Sequence, residues 1–367
     1  MGQPVLAYRR CCPCVGLAAI VAAIVLVAAV VVLAGASDAT AAPSANSHGP
    51  KQARSAVLRY WTPKRLRNAK PSELKPVRAV PKVHGRPPAR KPTAIGGHAA
   101  PPIFPPHAGG APRPTTRGVH AAIGGVTLPW HVWGYGYRGA YAPVGRVFNT
   151  HGGSTWVCSG TLVDVNIVLT AAHCVQNGAT GEWYQNVAFI PAVYGYSQPA
   201  GRWAARSKST KLGWATAPYN QVAGTNGQGY YPQDYAFITL YPNSSGWNAG
   251  NYVGSARFLM NAPLYQGIYH IGYPAGGLFA PNCSGNYCLP WYCYAPVQRY
   301  DLYAYGKWDE AMSCFTGGGS SGGPFLQYWN GTWTVASVMS HSTDPYTSFG
   351  PYLDDATNTL YNYARAH

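Results

Sequence analysis

Residues 156–175 read WVCSGTLVDVNIVLTAAHCV, two apolar runs on either side of a DVN turn that end on a histidine and a cysteine. Short runs rich in Val, Leu, Ile and Thr, separated by turn residues, predict a β-hairpin. Cys158 and Cys174 stand 16 residues apart. A bridge between them would close the hairpin, contribute on the order of 3 kcal/mol by chain entropy, and hold His173 on a rigid element. The same alternation continues outward through GRVFNT, VAFIPAVYGY, YAFITLY, GIYHIGYP and WTVASVMS, with Gly, Asn, Pro and Ser between the runs. Long helical periodicity is absent. Only DDATNTLYNYARA, at 354–366, spaces its apolar residues for a short helix, with Asp354 or Asp355 as its cap. Residues 121–367 therefore read as an all-β unit, long enough for one large domain or two packed barrels.

Two further islands follow the hairpin in chain order, DYAFITL at 234–240 and TGGGSSGGPF at 316–325. A nucleophilic serine needs a base, and the base needs a buried carboxylate that fixes its tautomer. His173, Asp234 and Ser321 fit these three roles. The acids between His173 and Ser321 are Glu182, Asp234, Asp301, Asp309 and Glu310. Of these, Asp234 alone opens an apolar strand, and the others stand among polar or turn residues. The glycines around Ser321 allow the backbone to aim two N–H groups, those of Gly319 and Ser321, at one oxyanion. Chemistry of this kind needs no cofactor.

On these islands the stretch from about 140 to 350 resembles the chymotrypsin-like (trypsin-like) serine peptidases. The resemblance implies two packed six-stranded antiparallel β-barrels with the active site in the cleft between them. It gives His173, Asp234 and Ser321 the catalytic roles and Gly319 the second oxyanion donor. Ser340, in VASVMSHS, matches a position beside the acid that lines the substrate cleft. The animal enzymes carry an aspartate before the nucleophile, where this chain has Ser320. IGG at 123–125 is similar to their activation site, but without that aspartate an inserted amino terminus has no buried charge to meet. Ser320 and GYP at 272–274 make the chain similar to the secreted bacterial branch, which includes glutamyl endopeptidases. The pocket floor falls near Ser313 to Gly317, and Phe315 stands where Lys/Arg-specific enzymes carry an acid. His341 is either a pocket residue or a loop histidine, since alignment of VMSHS puts Met339 at the glutamate-recognising position.

The net charge of +16 is concentrated outside this unit. Residues 43–120 hold 15 lysines and arginines against one acid, Glu73, whereas residues 121–367 hold 10 against nine. A nearly neutral folded part gives no electrostatic reason to bind nucleic acid. The basic stretch is rich in Pro, Ala and Gly, so most of it is expected to be disordered, as a linker or propeptide. SAVLRYWTPKRLRNAKP, at 55–71, is the exception, with apolar residues spaced for a short amphipathic helix. It also resembles a segment ahead of the catalytic domain in secreted bacterial peptidases. The alternative sets the stretch on an anionic cell wall or membrane.

Residues 1–42 are expected to direct export. An uncharged run at 15–36 follows Arg9 and Arg10, and Ala39-Thr40-Ala41 forms a cleavage pattern. The run is also long enough for an uncleaved anchor, which would leave the catalytic domain outside the cytoplasm. Cys11, Cys12 and Cys14 would leave with a cleaved signal. Six cysteines then remain, an even number that suits disulfides in an oxidising compartment. Cys283, Cys288, Cys293 and Cys314 allow three pairings, of which a tight Cys283–Cys288 loop with a Cys293–Cys314 bridge fits the insert CSGNYCLPWYC. The four-residue gaps are wider than a metal knuckle uses, so no metal is expected.

The expected protein is thus a secreted, monomeric serine endopeptidase acting on proteins or peptides. Two other classes use the same fold: a secreted pseudo-peptidase, and a cell-wall-binding protein whose 28 Tyr and 12 Trp stack on glycans.

Overall fold

The computed structural model describes residues 49, 51–74, 84–98, 141–195, 197–221, 227–275, 289–344 and 346–367, and the backbone of 46–48, 122–123, 126–127 and 130–131. The chain divides into Met1–Ala42 and Pro43–His367. Residues 1–42, read as a signal or anchor, lie outside the described residues, as do Cys283 and Cys288.

In the N-terminal basic segment the elements are β1 (Asn46–His48), α1 (Arg54–Tyr60), α2 (Pro63–Asn68), β2 (Lys70–Pro71), β3 (His84–Gly85) and β4 (Thr93–His98). Three short strands follow, β5 (Ala122–Ile123), β6 (Val126–Thr127) and β7 (Trp130–His131). The next six are β8 (Val144–His151), β9 (Ser154–Leu162), β10 (Ile167–Thr170), β11 (Gln185–Pro191), β12 (Trp203–Lys211) and β13 (Ala236–Leu240). After α3 (Gly250–Val253) come β14 (Ser255–Met260), β15 (Gly267–Gly272), β16 (Trp291–Tyr303) and β17 (Lys307–Ser313). The chain ends with β18 (Pro324–Trp329), β19 (Thr332–Val338), β20 (His341–Asp344), β21 (Thr347–Pro351) and α4 (Ala356–Ala366).

The hairpin forms where the sequence places it. In the DVN turn the Asp164 carboxylate accepts from the Val165 N–H at 2.7 Å, and Val168 and Leu169 of β10 face Leu162 and Thr161 of β9. All four residues of β10 are buried. Strands β8 to β13 then close into a six-stranded antiparallel barrel, because β12 pairs with β13 as well as with β11. Strands β14 to β21 form a second sheet, in which β14 runs parallel to β19. The outer edge of β14 pairs with β4, from Ser255↔His98 to Met260↔Thr93, so a strand of the basic segment continues this sheet. In α4, Leu360, Tyr361 and Ala364 are buried, and it is Asp354 that accepts from the Ala356 N–H at 3.0 Å, while Asp355 binds Arg90 and Asn261.

Where it is described, the basic segment departs from the disorder expected of it. The amphipathic stretch forms two helices, broken at Thr62, whose side chain accepts from Arg65 N–H, and restarted at Pro63. Val57, Trp61 and Leu66 are buried in the same core as β8, β9 and β11. Burial of side chains this size stabilises by about 1.5–3 kcal/mol each, which offsets the ordering of a short segment. Strand β4 needs no apolar run, since its pairing uses backbone groups that composition does not display.

Strand β17 carries Asp309 and Glu310 into the interior, where both are buried. Burial raises both carboxyls, Glu310 from 4.5 to about 8. The native protein keeps the Glu310 proton up to about pH 8, whereas the unfolded chain loses it near 4.5. The stability contributed is therefore full below pH 4.5 and is lost as pH rises towards about 8, at up to about 1.4 kcal/mol per pH unit. Glu310→Gln should flatten the urea-unfolding free energy across that window, and an unchanged slope would contradict a neutral buried Glu310.

Candidate active site

The Cys158–Cys174 bridge ties β9 to a single 3-10 turn, Ala172–Cys174, at the end of β10. His173 sits in that turn with 4% exposure, and its ring and backbone both face Asp234. A second 3-10 turn, Tyr231–Gln233, delivers Asp234 just before β13. The His173 Nδ1–H donates to Asp234 Oδ2 at 2.8 Å, and the His173 backbone N–H donates to Oδ1 at 2.9 Å. The Ser340 hydroxyl donates to Oδ2 at 2.6 Å. Burial alone would raise the Asp234 carboxyl, but the adjacent imidazole and these hydrogen bonds outweigh it and hold the group below the usual carboxylate range. With its proton on Nδ1, the neutral imidazole presents Nε2 as an acceptor, and Nε2 has no hydrogen-bond partner among the described residues.

The loop that carries Ser321 is clasped by the first barrel. The Ser159 hydroxyl donates to Gly319 O at 2.8 Å, its oxygen accepts from Tyr273 N–H at 2.9 Å, and the Ser159 N–H donates to Ser321 O at 2.7 Å. Gly319 and Gly322 have φ of 95° and 79°, a left-handed conformation that suits glycine. A Cβ on Gly322 would lie 2.1 Å from Thr170 Oγ1 and 2.4 Å from Ser159 O, so no side chain fits there. Ser320 is buried against Gly272 and close to His270, whose imidazole burial pushes down to about 4. A hydroxyl beside a neutral ring thus occupies the position where the animal enzymes hold a carboxylate.

A peptide carbonyl of the chain itself lies at Ser321. The Ser72 oxygen accepts from the Gly319 N–H at 3.2 Å and from the Ser321 hydroxyl at 3.1 Å. Beside it opens a cleft of about 390 Å³, lined among others by Thr316, Gly317, Gly318, Met339, Ser340 and His341. Glu73, Leu74 and Asp344 line it as well.

His173, Asp234, Ser321, Gly319, Ser340 and His341 are therefore brought to one place. His341 opens β20 rather than lying in a loop, buried between the rings of Tyr231 and Phe349. Burial pushes it down to about 3, so it is neutral, and its Nδ1–H donates to the Ser340 oxygen at 3.1 Å. That makes it a neighbour of the Asp234 network as well as a cleft residue. Phe315 is not among the residues lining this cleft. Its ring faces Tyr346, with centroids 6.4 Å apart, and the next residue, Thr316, takes the lining position. The Cys293–Cys314 bridge forms as the insert suggested.

The acids excluded in favour of Asp234 are not all turn residues. Asp301 and Asp309 face each other across β16 and β17, buried, with Glu310 beside them. Asp301 binds His84 at 2.8 Å and Arg299 at 3.2 Å. Of these acids, only Asp234 pairs with His173 among the described residues.

Residues 134–349 match the family model described as Trypsin, more than half of the chain, and the chain belongs to that family. It is similar to the protease Anisep from Arthrobacter nicotinovorans at 27% identity, over 62% of this chain and 96% of that one, with a TM-score of 0.48. A Glu endopeptidase solved in complex with MPD shares 22% identity over 65% of this chain and 97% of that one, with a TM-score of 0.50, a likeness of fold. A curated relative, the "Extracellular metalloprotease" of Bacillus subtilis (strain 168), is 23% identical over 212 residues. The match covers 58% of this chain and 59% of that protein, so the chain spans about three fifths of its relative's length. The metal chemistry in that name does not fit this site. The one group of potential ligands among the described residues is Cys158, His173 and Cys174, whose thiols form the disulfide and whose imidazole is held by Asp234.

Replacing Cys158 and Cys174 together by alanine should lower the unfolding free energy by about 3 kcal/mol. Guanidinium denaturation of the double variant against wild type reads this, and a loss below about 1 kcal/mol would contradict the role given to the bridge.

Proposed function

We propose that the chain is a secreted serine endopeptidase in which Ser321 is the nucleophile, His173 the base and Asp234 the group that orients the base. The observation that carries this reading is a peptide carbonyl oxygen held jointly by the Gly319 N–H and the Ser321 hydroxyl, at 3.2 and 3.1 Å. It marks a place where an acyl oxygen fits beside a nucleophile.

In the proposed cycle the Ser321 Oγ adds to a substrate carbonyl carbon while its proton passes to His173 Nε2. Negative charge develops on the carbonyl oxygen and is met by the Gly319 and Ser321 N–H groups, at about 3 kcal/mol per donor. The imidazolium gives its proton to the departing amine, leaving an acyl group on Ser321. Water then loses a proton to the same Nε2, attacks the acyl carbon and restores the hydroxyl. Asp234 remains ionised throughout, which its depressed pKa supports, and stabilises the imidazolium.

Substrates are proteins or peptides whose side chain enters the cleft beside Thr316, Gly317 and His341. Export is supported by the uncharged run at 15–36, by Ala39-Thr40-Ala41, and by the two bridges at Cys158–Cys174 and Cys293–Cys314. Residues 43–120 then form the propeptide or linker ahead of a catalytic domain at 121–367.

On a mixed peptide library, the secreted product should hydrolyse internal bonds and Ser321→Ala should not. Asp234→Asn should lower kcat by about ten-thousandfold, since the amide presents the wrong tautomeric partner to Nδ1. A variant within about tenfold of wild type would overturn the role of Asp234.

A further inference from the structure

The segment that brings Ser72 to the nucleophile is built into the molecule on both sides of the cleft. Before it, Trp61 is buried with 1% exposure against Phe148, and its Nε1–H donates to Asn186 O at 2.6 Å. Arg202 donates to Trp61 O, and Gln52 Oε1 accepts from the Asn186 N–H at 2.6 Å. From this anchor β2 runs parallel to β9, with Lys70 beside Trp156 and Pro71 beside Val157. The Ser72 N–H then donates to Val157 O at 2.9 Å. Glu73 lies over Gly318, its Oε2 only 2.6 Å from where a Cβ on that glycine would stand, and Leu74 packs on the first barrel's core. Farther along the chain, β4 pairs along the edge of the second sheet.

This placement engages the catalytic groups without arming them. For acyl transfer the Ser321 proton must go to His173 Nε2, and Oγ must meet a carbonyl carbon. Here the hydroxyl donates to the Ser72 oxygen, and Nε2 has no partner among the described residues. The Gly319 N–H is taken by the same oxygen. One backbone carbonyl thus occupies an oxyanion donor and ties the nucleophile's proton away from its base.

We infer that residues 51–74 are an intramolecular inhibitor, a strap whose Ser72 carbonyl occupies the oxyanion hole and uncouples Ser321 from His173. The inference rests on the serine peptidase reading and adds a function to the basic segment. The carbonyl position at Gly319 and Ser321 is filled here by a peptide backbone, and a substrate carbonyl can take that position only when the strap leaves. Ser72 meets Val157, Gly319 and Ser321 through its backbone N–H and C=O, so the inhibition is carried by main-chain groups and by the anchor at Trp61.

The test is the rate at which a fluorophosphonate probe labels the full chain, in wild type, in Pro71→Gly, in Leu74→Asp and in Ser321→Ala, with a thermal melt of each. Folded strap variants should label about tenfold faster than wild type, equivalent to about 1.4 kcal/mol of weakened strap, and Ser321→Ala should not label. Equal, rapid labelling of wild type and strap variants, with none in Ser321→Ala, would overturn the inhibitor and leave the peptidase reading standing. Cleavage of wild type after Ser72, absent in Ser321→Ala, would show a substrate in place of an inhibitor. Loss of folding in both strap variants would make the segment structural and count against the inference. No labelling in any form, even after limited proteolysis has removed the strap, would overturn the peptidase reading and this inference with it.

Discussion

A carboxylate with no exposed surface, Asp234, is the constraint on which the site depends. Removing such a group from water costs several kcal/mol unless hydrogen bonds replace the lost solvation. Three donors do so here: the His173 ring, the His173 backbone and the Ser340 hydroxyl. They come from both halves of the fold, since His173 follows a barrel strand and Ser340 immediately precedes β20 of the second sheet. The same three bonds that make burial tolerable also fix the His173 ring and tie the halves together at the cleft. His341 extends this network by one bond, through the Ser340 oxygen.

The hairpin at 154–170 and the barrel around it were legible because continuous apolar runs, buried along β10 and the second half of β9, agree there with turn chemistry. Two strands were hidden for the opposite reason. Strand β12 reads WAARSKSTK and β17 reads KWDEAMS, yet Lys208, Asp309 and Glu310 are buried in them. Strand pairing supplies the backbone with partners regardless of side-chain polarity, so a polar interior strand has no hydropathy signal. Asp234 was reached by elimination, although Asp301 and Asp309, which stand among polar or turn residues in the sequence, are an interior pair. Chain position separated them from His173, but local polarity misdescribed them.

Two features of the site could not be read from residue types. Counting back from Ser321 suggested Phe315 for the pocket, whereas the lining starts one residue later, at Thr316. The strap depends on where the Ser72 carbonyl lies, and every residue has a carbonyl. Its only sequence signal is the apolar set Val57, Trp61 and Leu66 within a basic stretch, which announces docking but not what is docked against. The segment's composition suggested disorder, and its three anchors decide otherwise.

The central claim, that Ser321 passes through a covalent acyl intermediate, is tested most directly by trapping that intermediate. The purified protein would be mixed with an activated ester, quenched in acid and mapped by peptide mass spectrometry. The account predicts one acyl group, carried by Ser321 and absent from the His173→Ala protein under the same conditions. An acyl group on another residue, or peptide hydrolysis that proceeds with no acylated Ser321 at any quench time, would contradict it.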